Sequence, residues 1–478
     1  MTDAPRPAPE IFQAIAKYLP FADAASTELP LSQLLRLSLF QFSVGMAAVL
    51  LNGTLNRVMI VELGVPSFLV ALLIAVPLLV APFRALIGHK SDTHTSALGW
   101  RRVPYIWFGT LMQFGGLAIM PFALLLLSRE ADFTVGLVST TAAFLLTGAG
   151  FHITQTAGLA LATDLAPEDK RPRAVALLYV MLLVGMMFSA FIIGGLLMDF
   201  SPTRLVQVIQ GCAVVTFVLN LTALWKQEAR TRDRAKKDPD APTFSQLWND
   251  FVKDGRNARL LTGIGIGSAG FAMQDALLEP YGGEILGLSV GATTSLTGAW
   301  ALGSLIGFVL SGRSLSKGGD PLRIAGAGLV TGIMAFLMVI FAAPFGSPTM
   351  LFIGATFIGL GLGLFSVGTL IEAMALAKSA TAGLALGAWG AVQATCSGVG
   401  IALGGGLRDL MTWLAADGSM SAVLATRATG YGTVYILEIL LLLAGLAAIG
   451  PLVGHARRSN NDLRDSTGQP FGLREFPT

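Results

Sequence analysis

The chain is poor in the residue types that most chemistry requires. Of its 478 residues only two are cysteine and four are histidine. Cys212 and Cys396 stand alone, with no CxxC spacing and no neighbouring histidine, so neither a disulfide nor a metal site is supported. No GxxxxGK[ST] loop is present, and no nucleophile has an evident base, which leaves an enzymatic role without residues to carry it. Charge is scarce as well: Lys, Arg, Asp and Glu make up 13% of the chain, against roughly 25% in an ordinary soluble domain. A net charge of +3 offers no argument for a nucleic-acid partner.

What is present is apolar. Hydrophobic residues make up 53% and the mean hydropathy is +0.68, which defines an all-α polytopic membrane protein. The 56 glycines fit, because small residues let membrane helices approach closely. Apolar runs fall near 34–61, 66–88, 103–128, 133–160, 174–198 and 203–225, then near 260–285, 290–312, 322–344, 349–377, 381–406 and 430–453. The expected organisation is an N-terminal segment (1–33), a six-helix bundle (34–225), a linker (226–259), a second six-helix bundle (260–453) and a tail (454–478).

The N-terminal segment shows no basic stretch feeding an apolar core and a small-residue cleavage site, so no cleavable signal peptide is expected. Ile11, Phe12, Ile15, Ala16 and Leu19 have helical spacing and predict a short amphipathic helix on the membrane surface. In the linker, 226–241 is charged and reads as flexible. Phe244, Leu247, Trp248, Phe251 and Val252 then predict a surface helix, whose basic flank suits anionic lipid.

Lys and Arg are enriched on the cytoplasmic side of membrane proteins. The even-numbered connections between runs carry 19 of them and the odd-numbered ones only Arg129, Arg204, Arg408 and Arg427, which places the linker and both termini in the cytoplasm.

The halves repeat. A shift of about 223 residues lays Leu63-Gly64 on Leu286-Gly287, Asn52 on Asp275 and Asn56 on Glu279, so each half opens with polar side chains four apart. A shift of 210 lays Gly194-Gly195-x-x-x-Asp199 on Gly404-Gly405-x-x-x-Asp409. The two bundles are expected to bury a polar seam that includes Glu62, Arg84, Asp275, Glu279, Glu284 and Glu372. Arg57 and Glu62 are five residues apart, about 140° around an α-helix. Arg57 is therefore expected to pair with Asp275 or Glu279 of the other half, or to bind a polar group on cargo, with Glu62 at the periplasmic interface.

After the second run, Gly88-x-x-x-Asp92 is followed by Gly99-Trp100-Arg101-Arg102, and Asp164-x-x-Pro167-x-x-x-Arg171 follows the fourth. With twelve runs and duplicated halves, these motifs resemble the major facilitator superfamily, whose fold is two pseudo-symmetric six-helix bundles. Physically, a carboxylate with cationic neighbours can latch the cytoplasmic ends of the bundles. The second half has Ser316 where the first has Asp92, so its latch should be weaker.

A narrower resemblance rests on Leu19-Pro20-Phe21-Ala22-Asp23-Ala24, Leu34-Leu35-Arg36-Leu37-Ser38-Leu39-Phe40-Gln41, the block 53–66, Phe83-Arg84-Ala85-Leu86-Ile87-Gly88, Gly99-Trp100-Arg101-Arg102-Val103-Pro104-Tyr105-Ile106-Trp107, and His152-x-x-Gln155-Thr156-Ala157-Gly158. These stretches resemble the PucC/LhaA-type light-harvesting complex assembly proteins of phototrophic bacteria, the bacteriochlorophyll delivery branch of that superfamily. The likeness is dense in the first half and thinner beyond it. It implies a role in the inner or intracytoplasmic membrane, handing pigment to antenna polypeptides or chaperoning them, with pigment-synthesis and membrane-insertion machinery as further partners.

A bacteriochlorophyll magnesium takes an axial imidazole or amide oxygen, which makes His152, in the fourth run, the leading pigment ligand, beside Asn52, Asn56, Arg57 and Gln155 as pigment or cavity residues. The alternative for His152 is an interhelical hydrogen bond. A second function stays open: a proton-coupled secondary transporter of a small solute, with Glu372 or Glu438 as its carboxylate.

Overall fold

The computed structural model describes residues 29–79, 100–127, 133–167, 170–228, 253, 255–375, 382–417 and 426–453. The predicted surface helix at 9–21 and residues 243–252 of the one predicted at 243–260 lie outside them, as do Arg84, Gly88, Asp92, Gly99 and the side chain of Arg171; from Gly255 that second stretch is already the first turn of the next helix.

The described chain is helical throughout. In the first half, α1 spans Leu31–Glu62, α2 Ser67–Leu79, α3 Val103–Leu127, α4 Phe133–Leu165, α5 Arg171–Leu196 and α6 Pro202–Leu224. In the second, α7 spans Gly255–Ala272, α8 Val290–Ser316, α9 Pro321–Ala342, α10 Pro348–Ala375, α11 Ala382–Ala416 and α12 Arg427–Ile449. Among the described residues, nine helices are long and apolar enough to cross a membrane. Their outer faces carry exposed Phe108, Phe122, Phe188, Val214, Met334 and Leu440, a surface suited to acyl chains.

Helix starts follow local chemistry. Pro202 and Pro321 occupy the first turns of α6 and α9, where a missing N–H costs nothing. Ser201, Ser289 and Asp320 cap α6, α8 and α9, their side-chain oxygens accepting from the N–H groups of Arg204, Ala292 and Leu322 respectively. Gly64 and Gly287, which the 223-residue shift pairs, both turn the chain in the left-handed region, at φ +66° and +65°. A residue with a Cβ would be strained there. The repeat is thus expressed as the same turn after the opening span of each half.

The halves meet along α2–α11 and α5–α8. Both seams use the repeated glycine pair. A Cβ on Gly194 of α5 would lie 2.8 Å from the Gly291 carbonyl oxygen of α8, and one on Gly405 of α11 would lie 2.7 Å from the Ser67 carbonyl oxygen of α2. Backbone contact this close requires glycine.

The eleventh run was expected to end near residue 406, leaving Arg408 in a connection. Instead α11 continues to Ala416 and Arg408 lies within it. The guanidinium is neutralised in place by Glu284 and Asp409, so the helix has no reason to end at the charge.

Candidate functional site

The site lies where α1 meets α7 and α8. Near its end, α1 leaves α-helical geometry twice: Leu50–Thr54 and Val58–Glu62 are π-helical, separated by the α-helical turn Leu55–Arg57. On the opposite side α7 breaks into the 3₁₀ turn Met273–Ala276 and resumes as the short helix Leu278–Glu284. Such turns inside helices mark functional sites and hinges more often than chance. Here they occur at matching places in both halves.

The π turn overturns the expected partner of Arg57. With backbone bonds running five residues back, residues 57 and 62 stack on one face, and Arg57 Nη1 pairs with Glu62 Oε1. The 140° separation that argued against this pair holds only for an α-helix. Glu62 is 37% exposed in its side chain, so it stands at the edge of the seam rather than within it. Arg57 Nη2 also donates to the Leu288 carbonyl at 3.2 Å, reaching into the other half.

Asn56, Asp275 and Glu279 do gather at the junction. Asn56 Nδ2 donates to the Asp275 carbonyl at 3.0 Å and to the Asn52 carbonyl at 2.6 Å. The Asp275 carboxylate accepts from Gln274 Nε2, and Thr297 Oγ1 donates to Glu279 Oε1. Thr54 and Thr294 join hydroxyls across the halves at 3.2 Å. Gly53 is what admits Glu279: a Cβ there would sit 2.6 Å from its Oε1.

Two members of the predicted seam bond within the second half instead. Glu284 Oε2 accepts from Arg408 Nη2 at 2.6 Å and from the Tyr431 hydroxyl at 3.0 Å, while Arg408 also stacks over the Tyr431 ring at 5.0 Å. Glu372, on α10, pairs with Arg256 of α7 at 2.8 Å. Periodicity alone could not distinguish these acids from Asp275 and Glu279, because all face inward from their helices. Sequence reading passed over Arg408 and Tyr431; the Gly-Gly-x-x-x-Asp repeat beside Arg408 was the available signal.

Of the loop residues, Arg102 Nε pairs with Asp164 Oδ2 at 3.0 Å. The Glu228 carboxylate, four residues past the end of α6, accepts from the backbone N–H groups of Arg101, Arg102 and Val103 and so caps α3. These bonds tie elements of the first half to one another, whereas the sequence suggested a latch between halves.

His152 is buried on α4, 7% exposed, with its ring 4.3 Å from that of Phe151. Gln155 Nε2 faces Gln41 Oε1 of α1 at 3.4 Å. Phe151 and Asn52 line a cavity of about 20 Å³ with Leu51, Ile74, Pro77, Leu78 and Phe144. That volume suits one water and not a chlorin macrocycle. The first half is further cross-linked by Ser43 Oγ donating to Asn220 Oδ1 at 2.6 Å and by Asn220 Nδ2 donating to Thr110 Oγ1 at 3.0 Å, a network the sequence did not suggest.

Two six-helix bundles related by a repeat, with paired polar breaks in their opening spans, define a polytopic membrane protein of the major facilitator superfamily fold. The solved structure of a bacterial homolog of the human lysosomal transporter Spinster, in an inward-facing and unoccupied conformation, matches with a TM-score of 0.65 at 16% identity, covering 87% of this chain and 95% of that one. Within this class the chain belongs to the PUCC protein family, whose model matches residues 54–457. It is 57% identical to Protein PucC of Rhodovulum sulfidophilum over 82% of this chain and 88% of that protein. It is 52% identical to an uncharacterized protein in the puhA-bchM intergenic region of Rhodobacter capsulatus, over 96% of this chain and 97% of that one.

Proposed function

We propose that this chain is an assembly factor for light-harvesting antenna complexes, one that takes bacteriochlorophyll as cargo and hands it to newly inserted antenna polypeptides or chaperones them. The observation that carries this reading is family membership over nearly the whole chain, including the polar junction of α1 and α7. The junction is consistent with it. Most of its charged and amide groups bond to one another or hold the halves together, and it leaves no chlorin-sized space, so cargo of that size is taken at the lipid-facing surface or after the halves part.

Family likeness points to the inner or intracytoplasmic membrane, and the bias of Lys and Arg between runs puts both termini in the cytoplasm. Thiols placed at Lys317 and Asp417 would test this, with membrane-impermeant maleimide expected to label the first from the cytoplasmic side and the second from the periplasmic side.

Purification from a phototrophic host tests the cargo. Chlorin absorbance is expected to co-elute with the protein, and deletion of the gene to lower antenna content. A colourless protein that supports solute counterflow in pigment-free liposomes would replace this reading with secondary transport, which the likeness of fold to a transporter favours.

A further inference from the structure

Arg57 pairs with one carboxylate and feels the charge of another, and the two belong to different halves. Glu62, on its own helix, is brought within reach by the π turn Val58–Glu62. Glu279, on the short helix after the break in α7, lies within Coulombic range of the same guanidinium. Among the described residues, Arg57 Nε and Glu279 Oε2 are both buried without a hydrogen-bond partner. Gly283 gives the cation its berth, since a Cβ there would be 3.0 Å from Nε and 3.2 Å from Nη2, so Arg57 packs directly on the helix that carries Glu279.

The pairing and the helical register are one variable. In an α-helix, residues 57 and 62 stand about 140° apart and cannot form the pair. A change of 58–62 from π to α turns Glu62 away and releases Nη1. Thr297 holds Glu279 by Oε1, leaving Oε2 to accept, and Arg57 Nη2 is already anchored to Leu288 O.

We infer that Arg57 is an exchange cation: with 58–62 in the π register it pairs within α1 to Glu62, and with that segment in the α register it passes to Glu279. The register of α1 then sets how firmly the two halves are joined. This does not depend on what the cargo is.

The test is a thermal-unfolding cycle on the full-length protein in detergent. The loss of Tm caused by Glu279→Gln is measured in the wild type and again in a Glu62→Gln background. Exchange predicts a several-fold larger loss in the second background, where Glu279 is the remaining carboxylate for Arg57. Equal losses in both backgrounds overturn it. Should Glu62→Gln fail to fold, Glu62→Asp serves in its place and is expected to move the result in the same direction by a smaller amount. Hydrogen exchange gives an independent readout: the amides of 58–65 are expected to exchange more slowly in the Glu62 variant as the segment becomes α-helical, and an unchanged pattern counts against the proposal.

Discussion

The Asp409 carboxylate of α11 accepts a hydrogen bond from the Phe68 backbone N–H at the start of α2, 2.8 Å away and across the boundary between the halves. It supplies from the second half the cap that α2 lacks from its own sequence, and adds a negative charge at a helix N-terminus, where the macrodipole favours it. Beside it, Gly405 brings the two backbones together. A cap and a glycine contact thus join α2 and α11 at the same place.

Removing that cap should loosen the seam without unfolding either bundle. Asp409→Ala is expected to cost about 1 kcal/mol, the usual value for an N-cap oxygen, and Asp409→Asn considerably less. Thermal unfolding in detergent, together with the rate of disulfide cross-linking between thiols placed on α2 and α11, reads the difference. Equal behaviour of the two variants would remove the capping role.

The glycine pair 194–195 carries its own control. A Cβ on Gly194 meets Ser295 Oγ at 2.6 Å and the Gly291 carbonyl at 2.8 Å, whereas one on Gly195 meets nothing within 4 Å. Gly194→Ala is expected to destabilise by about 1–3 kcal/mol through overpacking. Gly195→Ala should be neutral or slightly stabilising, as alanine is the better helix former. Yield of monodisperse protein and Tm measure both; the reverse order would mean that α5 and α8 do not pack as described.

Arg256 and Glu372 form a pair whose acid is 2% exposed. Glu372→Ala removes the buried partner of Arg256, whose own side chain is 30% exposed, and is expected to cost about 1–3 kcal/mol, the range for a hydrogen bond to a charged group. Replacing both, Arg256→Met with Glu372→Leu, is expected to recover most of that loss. A double variant no better than the single one would show that the pair is not the relevant contact.

His152→Leu keeps the volume of the side chain and removes its nitrogen atoms. On the pigment reading, the variant is expected to fold in normal yield and to co-purify with less chlorin, measured by absorbance per mole of protein. Unchanged pigment content would end the assignment of His152 as a ligand, and loss of folded protein would assign it to packing.

How legible this protein was depended on the range of the interaction being read. Spans such as 103–128 and 133–160 emerged because lipid demands a run of apolar residues of fixed length, a property of the local chain that survives without knowing its neighbours. The repeat was readable for a similar reason: Gly64 and Gly287 are needed for the same backbone turn, so each half carries the same residue at the same place. Sequence alone thereby determined the class, the number of spans and the repeat of the two halves. The partners of the charges were decided only in three dimensions. Arg57 reaches Glu62 because a π turn changes the angular step of α1, and Arg408 stays inside α11 because Glu284 and Tyr431 arrive from two other helices. An α-helical wheel drawn from the sequence holds neither fact, since helical register and charge neutralisation are set by what packs against the helix.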